Sequence, residues 1–144
     1  MKQTWLLFIL AILLSGCATT PVPISAAKQA PPDRVLAFQT SAGDKIATLT
    51  VIRDEGLRSS GCYLGLYINK TLVARLDVAE FARFYVDPGE ILLRIAGDPQ
   101  GKGLCAWSQS DWTQRETFMK PGDQKTFRMT IDVNGKGDII RSDL

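Results

Sequence analysis

The amino-acid sequence predicts an all-β fold, an antiparallel β-sandwich or small barrel, on three observations. Apolar and polar residues alternate with a period of two over several short runs. Residues suited to tight turns recur between the runs, and the spacing from run to run is short and regular. Successive side chains leave a strand on opposite faces, so this alternation is what a half-buried strand requires.

The clearest runs are ATLTVIRD and TFRMTIDV. In the first, Ala47, Leu49 and Val51 share a face and Thr48 and Thr50 take the other. In the second, Phe127, Met129, Ile131 and Val133 alternate with Arg128, Thr130 and Asp132. Further strands are expected over residues 35–40, 63–68, 72–76, 81–86, 91–96 and 116–119. Residues 77–83 are the one helix candidate, but β-branched and aromatic flanks favour a strand there. Asp87-Pro88-Gly89-Glu90 and Lys120-Pro121-Gly122-Asp123 place Pro where φ is preset and Gly where φ must be positive. Asn69-Lys70 and Asn134-Gly135 suit tight hairpins.

The first residues follow a different logic. Lys2 precedes a nine-residue apolar run, Leu6 to Leu14, which ends in Ser15-Gly16-Cys17. A basic start, a short apolar core and small residues at its end form the layout of a secretory signal. A membrane span needs roughly 20 apolar residues, and this run is too short. Leu14, Ser15, Gly16 and Cys17 resemble the lipobox of bacterial lipoproteins. The resemblance implies that Leu14, Ser15 and Gly16 direct cleavage and that Cys17 becomes the acylated first residue. It also implies that Ala18, which is not Asp, permits export to the outer membrane with the protein on its periplasmic face. Residues 1–16 are therefore expected to be a lipoprotein signal, 17–33 a lipidated and flexible tether, and 34–144 the β domain. Residues 18–33, rich in Pro, Ala, Ser and Thr, lack the large side chains that bury a core, which predicts an extended mobile spacer.

Within the domain, LYINKTLVARLDVAEFARFYVDPGEILLRI resembles the PEGA-type surface β module over about 30 residues, with Asn69-Lys70 where that module usually has Asp-Gly. RDEGLRSSGCYLGLYINKTLVARL and GEILLRIAGDPQGKGLC are similar to uncharacterised small lipoproteins of Gram-negative bacteria. This implies a role in the envelope and supplies no activity.

Several chemistries find no support. Of the 17 basic residues only Lys2 precedes Cys17, leaving 16 against 15 acidic, so no basic field awaits a nucleic acid. The chain has no histidine, which removes the usual activating base and the commonest metal ligand. No cofactor or metal is expected. Ser25-Ala26-Ala27-Lys28 matches Ser-x-x-Lys without the partner motifs of penicillin-recognising enzymes. Asp132 to Asp138 has a faint calcium-loop pattern, but Lys136 stands at a ligand position, and a hairpin fits better. Gly101-Lys102-Gly103 lacks the rest of a phosphate loop and reads as a flexible loop. Trp107 and Trp112 suit either a partner surface or packing over the open end of a sandwich. Arg75, Arg83 and Arg94 could make a basic stripe across adjacent strands, with a solvated sheet face the better account.

Cys62 and Cys105 remain once Cys17 is acylated. Each follows a glycine-containing loop and is expected to open an apolar strand. An even count in an oxidising compartment favours a disulfide over two separate buried thiols. It would join the loops 53–61 and 97–104 into the best candidate for a binding edge. The function expected is that of a non-catalytic envelope binding or accessory module, bound to the membrane by its lipid and to an envelope protein or the cell wall. The alternative is a small periplasmic hydrolase, or an inhibitor of one, working with paired carboxylates.

Overall fold

The computed structural model describes residues 18–41, 43, 46–57, 60–107 and 113–143. Among them are β1 (Lys28–Gln29), β2 (Ala47–Arg53), β3 (Leu64–Ile68), β4 (Thr71–Leu76), β5 (Glu80–Val86) and β6 (Gly89–Gly97). A one-turn helix, α1 (Leu104–Trp107), precedes β7 (Gln114–Met119), β8 (Gln124–Ile131) and β9 (Gly137–Ser142). They form two sheets, ordered β1-β5-β2-β8-β9 and β4-β3-β6-β7. The protein is a β-sandwich, and among the described residues the sheets do not close into a barrel.

The chain changes sheet at the turns. β4 gives way to β5 across residues 77–79, β5 to β6 across Asp87-Pro88, and β7 to β8 across residues 120–123. At the last two, Pro88 and Pro121 preset φ and remove a donor where pairing must stop. Because β8 enters the first sheet from the second, it runs parallel to β2, with Val51 opposite Phe127. That sheet is therefore mixed, while every pairing in the other is antiparallel. Asn69 and Lys70 both take positive φ, 47° and 73°, closing the β3–β4 hairpin as their sequence requires. Between the layers Leu49, Phe84 and Met129 meet Leu66, Leu93 and Ile95 in one buried cluster.

Three expectations are corrected. Residues 18–33 are not a free spacer. The Thr19 and Thr20 amides donate to the Ile131 and Glu55 carbonyls, Val22 and Ala30 are buried, and β1 pairs parallel with β5. The segment docks by backbone hydrogen bonds and small side chains, which a test for large apolar residues does not register. Residues 35–40 are not a strand: Val35 makes one bridge to Ala74, and a positive φ of 60° at Phe38 turns the chain so that its carbonyl accepts from Tyr85. This stretch covers the neighbouring edges of β4 and β5. Cys105 does not open a strand, since it lies within α1.

Candidate functional site

One end of the sandwich gathers most of the polar side chains that the fold buries. β2 and β8 run towards it, β4 and β6 finish there, and β3, β5, β7 and β9 begin there. The long loops that join them meet at a disulfide between Cys62 and Cys105, whose Cα atoms are 5.5 Å apart. Gly101 allows the 98–103 loop to fold onto α1, where a Cβ would come within 2.9 Å of the Cys105 carbonyl oxygen.

Beneath the disulfide lies an arginine framework. Arg53, at the end of β2, is buried and donates to the carbonyls of Cys62 (2.6 Å) and Leu76 (2.8 Å). Burial draws its guanidinium down to about 10, opposed by the carboxylates of Asp77 and Glu80, so it stays charged at neutral pH. Arg34 makes a two-pronged pair with Glu80 at 2.7 and 2.6 Å and also donates to the Arg75 carbonyl. Arg75 makes the same kind of pair with Asp98 at 2.7 and 2.6 Å. Both Arg34 and Arg75 lie over the Tyr63 ring, 4.4 and 5.2 Å from its centroid.

Of these, Tyr63, Arg75 and Asp98 line an open groove of about 420 Å³, together with Asp77, Gln100 and Lys102. Hydrogen bonds from Arg75, more than the opposing effect of burial, hold the Asp98 carboxyl below its ordinary range. Asp98 is thereby kept ionised and is poorly suited to donate a proton. The Ser60 hydroxyl at the rim donates to the Leu57 carbonyl. The arrangement is that of a stiff, nearly charge-balanced surface. No group of three or more metal-ligating side chains occurs among the described residues.

The expected disulfide and the loops it joins are present. The arginine trio is divided: Arg75 and Arg94 stand on the second sheet and Arg83 on the first. Arg75 is paired with Asp98, and Arg94 and Arg83 lie over the Tyr67 and Phe81 rings. They do not form one stripe. Asp132 accepts from the amides of Asn134 and Lys136, as a hairpin demands. Ser25 and Lys28 fall in a turn and on β1, not on a helix. Trp107 ends α1, while Trp112 lies outside the described residues, as do Leu14, Ser15, Gly16 and Cys17. Sequence reasoning passed over Arg34, Arg53, Tyr63, Glu80 and Asp98. One signal was legible: Arg53 continues the core-facing parity of Ala47, Leu49 and Val51.

No protein-family model matches the chain, and no curated protein matches it.

Proposed function

We propose that this chain is a lipid-anchored envelope protein, acylated at Cys17, whose sandwich is a non-catalytic binding or accessory module at the periplasmic face of the outer membrane. The observation that carries this reading is the Cys62–Cys105 disulfide. Disulfides persist in oxidising compartments, which supports a periplasmic setting, and this one engages both other cysteines, leaving Cys17 as the one cysteine outside it. That thiol follows Leu14-Ser15-Gly16 at the end of a signal-like apolar run. The Asp98 carboxylate in the loop-end groove is held ionised by Arg75 and so is a poor proton donor, which favours the non-catalytic reading.

The test is the mass and location of the mature protein in a Gram-negative host. Wild-type protein should begin at Cys17, carry a diacylglyceryl group and a third acyl chain, and sediment with outer membranes on a density gradient. Cys17→Ser should accumulate as uncleaved precursor or as protein without lipid. Wild-type protein found soluble and unmodified would overturn the reading.

A further inference from the structure

The geometry points to a membrane-seated face: the loop end of the sandwich rests on the phospholipid surface that the Cys17 acyl chains enter, with Leu57, Leu104 and Val133 in the interface. The inference builds on the anchor at Cys17 and names the surface that the anchor brings to the bilayer.

The first observation is the shortness of the link. Thr19 is fixed on both sides: its amide donates to the Ile131 carbonyl at 3.0 Å, and its hydroxyl accepts from the Ile131 amide at 2.9 Å. The Thr20 and Glu55 backbones exchange two further bonds, at 2.6 and 3.0 Å. Only Ala18 separates Cys17 from the fixed Thr19 backbone, two chain steps with a reach of about 7 Å. Gly56 confirms the closeness, since a Cβ there would stand 3.1 Å from the Thr19 Cα. Lipid chains attached at Cys17 enter the bilayer beside this end and no other.

The second observation is what the same end exposes. Leu57, directly after Gly56, is 83% exposed, and Leu104, next to the disulfide, is 84% exposed. Val133, two residues beyond the Ile131 that holds Thr19, is 59% exposed. The two most exposed large apolar side chains among the described residues, Leu57 in the loop after β2 and Leu104 at the start of α1, thus both lie at the anchored end. Lys102 and Lys136 are exposed on these loops too, placed to meet lipid phosphates. The disulfide ties the Leu57 and Leu104 loops together, so the apolar side chains are presented on a fixed frame. Exposed apolar tips beside a lipid attachment point, accompanied by Lys102 and Lys136 as well as by the acidic Glu55 and Asp132, match the mixed chemistry of a headgroup boundary.

The test uses the full lipidated protein in vesicles of phosphatidylethanolamine and phosphatidylglycerol. Nitroxide labels are placed singly through Leu57→Cys and Leu104→Cys, and at the opposite end through Lys70→Cys and Lys120→Cys. Labels at 57 and 104 should collide several-fold more with dissolved oxygen, relative to an aqueous nickel complex, than labels at 70 and 120. Equal aqueous accessibility at all four positions, with the protein still floating with the vesicles, overturns the seated face and leaves the anchor intact. Protection from both reagents that grows with protein density identifies a second copy as the occupant and also overturns it. Protein that does not float refutes the anchor and this inference together. Leu57→Asp combined with Leu104→Asp should abolish the oxygen preference of a label at Val133→Cys without lowering thermal stability, because both leucines are exposed.

Discussion

Arg75 and Asp98 are joined by two short hydrogen bonds, and both side chains are mostly shielded from water, at 16% and 4% exposure. A two-pronged pair in that setting is worth more than an exposed one, and removing one partner strands the other. Asp98→Asn should destabilise the fold by about 2 kcal/mol at pH 7, read from urea unfolding. The dependence on pH has a definite sign. Asp98 ionises more readily in the folded chain than its ordinary 3.8, so its contribution is complete above that value and is lost as pH falls below it. The gap between wild type and variant should therefore close between about pH 4 and the more acidic folded value. A gap that stays constant down to pH 2 would refute the assignment. None of this pairing was legible in the sequence. Arg75 and Asp98 are 23 residues apart and meet only because β4 and β6 flank β3 and finish at the same end.

Short elements divide sharply by how local their causes are. The β3–β4 hairpin follows from Asn69-Lys70 alone, and the strand alternation follows from which face is buried. α1 escaped notice because LCAW is apolar and short, and a single helical turn carries no period that separates it from a strand. The disulfide could be inferred from compartment and count, whereas its partner elements could not. It joins the 54–63 loop to α1 across 43 residues of chain. In the chain-entropy treatment such a closure contributes about 4 kcal/mol. Cys62→Ser combined with Cys105→Ser should lose about that much in guanidinium unfolding, and thiol reagents should label neither residue of denatured, unreduced wild type. Full labelling of both would show that the loops have another tie.

Across the whole molecule, the decisive difference from expectation is the docked N-terminal segment. Composition predicts a spacer because it measures the side chains' capacity to form a core. It does not measure whether neighbouring strands leave backbone groups open at an edge. Thr19→Pro removes an amide donor and the hydroxyl partner of Ile131 together, and should cost about 2 kcal/mol. Protease cleavage within residues 20–30 should accelerate in that variant, and an unchanged rate would contradict the docking. A free sixteen-residue tether would let the domain wander over a radius of about 20 Å. The docked segment removes that search volume. If Cys17 is acylated, the nine residues of β6 carry the turns at Asp87-Pro88 and Lys120-Pro121 about 30 Å beyond the anchored end, while Asn69-Lys70 turns lower, level with Leu92. A partner diffusing in the same leaflet would then meet the domain in two dimensions, within a narrow range of heights. A partner fixed much more than about 30 Å beyond the anchored end would then lie out of reach, because the docked N-terminal segment leaves no tether to extend.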